Sequence, residues 1–211
     1  DMFGFMESTV PRRPVIAYHL ILTFYGFWLP NDPRGSWSDM VRAWELRRFG
    51  PATKTTQRRS HAWDPHDYRK RLAAKEALAR PPVHLSGAQA LAVARGFRRF
   101  VDRSGITLHA CAILPEHVHL VVARHDYSIE EIARHIKADA TTQLKQENIH
   151  PFQSDVYRDG SLPSPWARGQ WKCFIDDPTY VRNAVGYVNR NPTREGHRPQ
   201  RWSFVRDLHA V

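Results

Sequence analysis

The stretch ITLHACAILPEHVHLVVA, residues 106–123, decides the fold of this chain, because it contains two successive apolar runs of strand length. Residues 106–114 and 117–123 are dominated by aliphatic side chains, and segments of this length and composition are typical of buried strands. Pro115 and Glu116 separate the two runs as a tight turn. The stretch therefore predicts two adjacent strands.

A helix is predicted on each side of this pair of strands. Ser86 with Gln89, and Ser128 with Glu131, have the spacing of a capping box at a helix start. Gly105 is a typical residue for the end of the first helix. The apolar residues that recur at helical spacing are Val93, Phe97, Phe100 and Val101 in the first helix, and Ile132, Ile136, Ala140 and Leu144 in the second.

Two more strands complete the pattern, at residues 15–25 and 171–175. A last helix is predicted to begin at Asp177 and Pro178 and to end at Asn191, because the next residue is a proline. Without that helix and a charged insertion, the order is strand, helix, strand, strand, helix, strand. This order predicts an α+β, ferredoxin-like fold: a four-stranded antiparallel sheet with helices on one face and the other face left for a ligand.

The chain is expected to form one domain over residues 1–211, with the insertion at about 41–82 and a basic tail at about 197–211. With 31 Lys and Arg against 21 Asp and Glu, the net charge is +10, which favours a polyanionic partner. No apolar run reaches the roughly 20 residues that span a bilayer. A cytosolic, nucleoid-associated location without membrane contact is therefore expected. Cys111 and Cys173 are isolated in apolar stretches, which predicts buried thiols and no zinc cluster.

His117 and His119 are two residues apart in a predicted strand, so both imidazoles should lie on the same face of the sheet. Val118, between them, should point into the core. A His-x-His pair is more often structural or solvent-exposed than a metal site. In an apolar strand, however, two histidines need polar partners, and a metal ion would be one.

Tyr187 and Asn191 lie one turn apart on one side of the last helix, beside an apolar stripe of valines. A phenol and an amide oxygen at this spacing could reach one metal-bound phosphate. The ordinary alternative is a half-buried tyrosine and a helix-ending asparagine. Tyr180, on the same stripe, is a rival nucleophile without an amide one turn on.

PEHVHLVV at residues 115–122, followed by YVNRNPTREG at residues 187–196, resembles the HUH single-strand DNA transposases. The chain looks most like the REP-associated tyrosine transposases and their insertion-sequence relatives. The family's catalytic helix often has the pattern Tyr-Ile/Val-x-x-Asn-Pro-x-x-x-Gly, and the matching residues are Tyr187, Val188, Asn191, Pro192 and Gly196. The segment YHLILTFYGFWLPNDPRGSW at 18–37 and HRPQRW at 197–202 also resemble these proteins.

The resemblance implies that His117, His119 and Asn191 bind a divalent cation, Mg²⁺ or Mn²⁺, although two imidazoles would suit zinc as well. It implies that Tyr187, on the last helix, attacks the DNA phosphate and becomes linked to the 5′ phosphate. The freed 3′ hydroxyl allows rejoining without ATP. The sequence shows no evident general base for the tyrosine.

The partner implied is single-stranded or hairpin DNA, bound by a monomer or a homodimer. Lys137 matches a basic position of the family's corresponding helix. The other candidate DNA contacts are Arg134, Arg190, Arg194, Arg201 and the loop residue Trp37. Two alternatives remain open: a domesticated, non-catalytic single-strand-binding protein, and a phosphoesterase that uses water. The second needs carboxylate ligands that the sequence does not place near His117.

Overall fold

One antiparallel sheet organises the computed structural model, which describes residues 13–29, 32, 41, 44–50 and 67–208. The strands of this sheet are β1 (Ala17–Thr23), β2 (Leu108–Ile113), β3 (His117–Ala123) and β4 (Trp171–Ile175), in the order β2-β3-β1-β4. The helices are α1 (Tyr68–Glu76), α2 (Gly87–Ser104), α3 (Ile129–Gln146) and α4 (Pro178–Arg194). The order β1, α2, β2, β3, α3, β4 confirms the predicted ferredoxin-like α+β fold.

Helices α2 and α3 pack on one face of the sheet and enclose the larger core. The alternating residues of the central strands that point to this face are Leu20, Leu22, Val118, Leu120 and Val122, all buried. Both predicted capping boxes are present, and Gly105 ends α2 in the left-handed region with φ 72°. A Cβ atom at Gly96 would lie 2.5 Å from the Cα atom of Ala140, so this glycine permits the close contact of α2 with α3.

Helix α4 packs on the opposite face of the sheet, against β2, β3 and β4. Small or branched residues of the sheet meet two valines of the helix in a second core: Ala17, Ala110, Ala112, Val121, Ile175, Val181 and Val188. The expectation that this face is left for a ligand is therefore only partly right, since α4 covers part of it.

The predicted end of α4 at Asn191 is wrong, because the helix continues to Arg194 with Pro192 inside it. A proline within a helix costs about 3 kcal/mol. Here Asn191 and Pro192 are both buried, so packing offsets part of that cost. The last turn is closed by the N–H of Glu195, which donates to the carbonyl of Asn191 at 3.1 Å, and by that of His197, which donates to Pro192 at 2.8 Å.

The described part of the insertion contains α1 and a 3₁₀ helix, Trp44–Phe49, which contact each other through the buried Leu46 and Ala74. The basic tail is anchored to β2, because the side chain of Gln200 bonds both the N–H and the carbonyl of Ile113 at 2.8 and 2.7 Å. Cys111 is buried as expected, but Cys173 is exposed, so the prediction of two buried thiols is half wrong. No helix in the described ranges has the length and apolar character needed to cross a bilayer.

Candidate active site

The strand alternation of β3 places His117 and His119 together on the α4 face of the sheet. Their ring centroids are 4.8 Å apart. Both side chains are buried, and Val118 points into the larger core, as predicted. The sheet therefore holds the two imidazoles side by side beneath α4.

A third histidine, His19 of β1, joins this pair, and sequence reasoning missed it. Its Nε2 atom lies 3.0 Å from Nδ1 of His119, and the two ring centroids are 5.3 Å apart with 28° between the ring planes. The signal was available, because Leu20 and Leu22 face the larger core and His19 must then face the opposite side. Nothing in the sequence, however, indicates which residue of β3 lies next to it.

Burial keeps the rings of His19 and His119 neutral. It lowers the pKa of His19 to about 4. The pKa of His119 lies well below its usual value, first through burial and then through the neighbouring His117 and His19. Neutral imidazoles retain a nitrogen lone pair, which is the form that binds a metal ion.

Helix α4 brings Tyr187 of the same chain onto the histidines. The phenol ring lies 5.6 Å from the His119 ring and 5.9 Å from the His19 ring, and it is 38% exposed. Burial raises the pKa of Tyr187, an effect that Arg194 opposes and Glu195 reinforces. The phenol is therefore protonated at neutral pH, and a nucleophilic role needs another group to accept its proton.

Asn191 lies one turn beyond Tyr187 and is only 4% exposed. Its amide nitrogen is buried and makes no hydrogen bond within the described part of the chain. An unsatisfied buried amide costs about 1–3 kcal/mol, which a ligand would recover. The amide can present its oxygen instead by turning about its last side-chain bond.

The residues present fit a divalent cation, because imidazoles are ligands for ions such as zinc and iron, and an amide carbonyl is a ligand for manganese and magnesium. Among the described residues, no three His, Cys, Asp or Glu side chains are grouped so that they could hold a metal ion. A three-ligand site therefore depends on the amide of Asn191.

Two further residues, Glu195 and Phe27, contact His117, and the sequence indicated no role for either of them. The carboxylate oxygen Oε1 of Glu195 is 3.6 Å from Nε2 of His117, and the ring of Phe27 stacks on His117 at 4.8 Å. The sequence placed no carboxylate near His117, because Glu195 follows the predicted end of α4. The structure corrects this by extending the helix.

The predicted DNA-contacting residues lie in separate places. The guanidinium of Arg194 is 5.7 Å from the ring centre of Tyr187, and Arg190 is exposed on the same helix. Arg201 is exposed in the tail, and Trp37 lies outside the described residues. Of these predicted contacts, only Arg190 and Arg194 lie on the helix that carries Tyr187.

Arg134 and Lys137 lie on α3, on the other side of the sheet. Arg134 is exposed, with its guanidinium 3.0 Å from Nε2 of His135. The ammonium of Lys137 donates to the carbonyls of Ala167 and Gly169 at 3.2 and 2.5 Å. Lys137 is thus engaged in holding the loop before β4.

Comparison with known proteins finds solved structures that resemble this chain in fold. No protein-family model matches the chain, and no curated protein matches it. A REP-associated tyrosine transposase bound to a REP hairpin is 14% identical, with a TM-score of 0.46 over 92% of this chain and 75% of that one. A "putative transposase" from Deinococcus radiodurans R1 is 11% identical, with a TM-score of 0.37 over 91% and 98%. Both of these structural neighbours are thus transposases. At 14% and 11% identity, the likeness concerns the fold and not the activity.

Proposed function

We propose that this chain is a metal-dependent transposase that nicks and rejoins single-stranded or hairpin DNA through a covalent bond to Tyr187. One observation carries the proposal: the phenol of α4 lies 5.6 Å from the ring of His119, within a single chain. Two distant segments thus bring a hydroxyl nucleophile to a buried imidazole pair. The buried amide nitrogen of Asn191, one turn beyond Tyr187 on α4, has no hydrogen-bond partner among the described residues, which supports a third ligand.

His117, His119 and Asn191 would hold the Mg²⁺ or Mn²⁺ ion. Such an ion, when bound, polarises the oxygens of the scissile phosphate. The protein itself contributes the neutral imidazole of His119 and the burial of both histidines. Phe27 covers one face of the His117 ring, which limits the access of water to that ligand.

In the covalent step, the oxygen of Tyr187 loses its proton and forms a bond to phosphorus. The bond from phosphorus to the 3′ oxygen breaks, and that oxygen leaves as a hydroxyl after taking up a proton. The phosphotyrosine remains a phosphodiester, so attack by a 3′ hydroxyl reverses the step without ATP. Glu195, beside His117 and close enough to influence the pKa of Tyr187, is the candidate proton acceptor.

The DNA strand would approach along α4. Arg190 and Arg194 lie about one and two turns beyond Tyr187 on that helix, where they can neutralise phosphates next to the scissile bond. Arg134, Lys137 and Arg201 are further candidate phosphate contacts. The carbonyls that hold the ammonium of Lys137 limit that residue to a secondary role.

The test is a search for the covalent adduct. Hairpin oligonucleotides with randomised flanks, labelled at one end, are incubated with the protein and Mn²⁺ and separated under denaturing conditions. A 3′ label should move onto the protein, whereas a 5′ label should stay on a shorter free strand. Tyr187→Phe should lose the adduct. Tyr180→Phe is the matched control and should keep it, since Tyr180 is 63% exposed near the start of α4.

Two other outcomes would overturn the proposal. Cleavage that leaves no labelled protein would favour the water-using phosphoesterase, for which the position of Glu195 near His117 is the supporting observation. Binding of the pool without cleavage of any member would favour the non-catalytic single-strand-binding protein.

A further inference from the structure

We infer that His19 positions His119, by accepting a hydrogen bond from Nδ1–H of His119 and thereby directing the other ring nitrogen of His119 towards the cation. The inference rests on the proposed function, because it concerns the proposed metal ligand. It assigns a role to a residue that lies 100 positions away in the sequence. His19 would act through His119 and would not touch the cation itself.

The contact between the two rings is specific in its atoms. Nε2 of His19 lies 3.0 Å from Nδ1 of His119, which is an ordinary hydrogen-bond distance. The rings are 28° from parallel. The pairing of β1 with β3, in which Ile21 lies opposite His119, fixes the two backbones relative to each other.

His19 is itself held by aromatic neighbours. The ring of Trp171 meets it edge-on, at 5.2 Å and 84°, and the ring of Tyr187 lies on another side at 5.9 Å. Because β4 supplies Trp171 and α4 supplies Tyr187, the orientation of His19 is set by several elements. A partner fixed in this way can in turn fix the ring that it contacts.

The choice of tautomer follows from this arrangement. Nδ1 of His119 faces His19, so Nε2 is the nitrogen of His119 that remains for a cation. A cation needs a lone pair on Nε2, and a neutral imidazole then carries its proton on Nδ1. Nδ1–H of His119 must donate, so Nε2 of His19 must accept, and His19 carries its own proton on Nδ1.

Loss of such a partner weakens metal binding. A metal-binding histidine usually donates its second N–H to a carboxylate, carbonyl or water, and removing that partner costs about 10–100-fold in metal affinity. Here a neutral imidazole takes the place of the carboxylate. Without it, both tautomers of His119 become accessible, and only one offers Nε2 to the cation.

The first measurement needs no substitution. Long-range ¹H–¹⁵N NMR of the metal-free wild-type protein reports which nitrogen of each histidine carries the proton. We expect the proton of His119 on Nδ1 and that of His19 also on Nδ1. A proton on Nε2 of His119 would overturn the inference.

The second measurement is the affinity for Mn²⁺ alone, followed by electron paramagnetic resonance without DNA. His19→Leu should bind Mn²⁺ about 10–100-fold more weakly than the wild type. His19→Gln, whose side-chain oxygen can accept the same hydrogen bond, should bind nearly as well as the wild type. His109→Leu, on the outer strand β2, is the matched control and should bind normally. Thermal unfolding of each variant checks that the fold is retained.

Each remaining result decides against the inference. Normal Mn²⁺ affinity in His19→Leu would overturn the role of His19 while leaving adduct formation by Tyr187 intact. Equal losses in His19→Leu and His19→Gln would show that His19 is a ligand or a packing residue and not an acceptor. A wild-type protein that binds no Mn²⁺ but forms the adduct would remove the metal site and leave the tyrosine chemistry standing.

Discussion

The two faces of the sheet are built from the same strands but bury different kinds of side chain. Towards α2 and α3, β1 and β3 present aliphatic residues such as Leu20 and Leu120, which are wholly buried. Towards α4, the intervening positions of the same strands carry His19, His117 and His119. Alternation with a period of two residues thus separates the larger aliphatic core from the candidate site within a single pair of strands.

The face beneath α4 therefore carries polar groups whose burial is costly. His117, His119 and Asn191 are all buried polar residues, and each lies within the candidate site. The opposite face is a continuous apolar core. Substitution of the site histidines should reduce activity with the fold retained, whereas substitution of residues in the larger core should reduce stability.

The largest expected effect is on the α4 face. His119→Ala should reduce adduct formation with labelled hairpin DNA by more than about 100-fold. This exceeds the loss of about 10–100-fold expected when a residue that only hydrogen-bonds a metal ligand is removed. DNA binding, measured by fluorescence anisotropy, should stay close to the wild-type value, because phosphate contacts supply most of that affinity. Full adduct formation by this variant would contradict the metal assignment.

On the opposite face, Phe97→Ala should destabilise the protein by about 3–5 kcal/mol, because the ring is wholly buried between α2 and the sheet. Urea unfolding measures the change. The fraction that remains folded should still form the adduct. If adduct formation by this variant falls more than its folded fraction does, the two faces do not act independently.

A pH series sharpens the comparison on the α3 side, where burial lowers the pKa of Lys137 from 10.5 to about 8. At this residue the unfolded chain then binds more protons than the folded chain between these values, so the contribution of Lys137 to the free energy of unfolding should rise as pH rises from about 8 to 10.5. The gain should be on the order of 3 kcal/mol. Urea unfolding of the wild type and of Lys137→Met measures this contribution as the difference between their free energies of unfolding, and a difference that does not change with pH would contradict the assignment.

The smallest expected effect comes from a helix cap on the same side. Ser128→Ala removes the side-chain oxygen that accepts from the N–H of Glu131 at 3.2 Å and should cost about 1 kcal/mol. Ser128→Asp keeps an acceptor at this position and is the matched control. Thermal unfolding should show a lower midpoint for the alanine variant alone.

The sequence predicted the frame of the molecule because its signals are local. Each helix signal depends on residues within a few positions of one another. These signals are the capping boxes at Ser86 and Ser128 and the left-handed conformation of Gly105. The same holds for β4, whose predicted bounds are those of the structure. The placement of His117 and His119 on one face also follows from local alternation.

The rest of the candidate site depends on contacts across the chain. The neighbourhood of His19 and His119 is set by strand register, which no short segment reveals. The positions of Asn191 and Glu195 depend on α4 continuing through Pro192, against the local preference of the residue before a proline. Burial of the last turn overrides that preference, and only the folded structure shows it.

The location of Tyr187 and the β3 histidines in one chain has a consequence for kinetics. A site formed within one chain predicts that adduct formation per molecule stays constant on dilution, and a fall on dilution would show that a second copy takes part. A cell with very few molecules would then retain the full rate for each of them. An inactive variant would also not inhibit active molecules that are present with it.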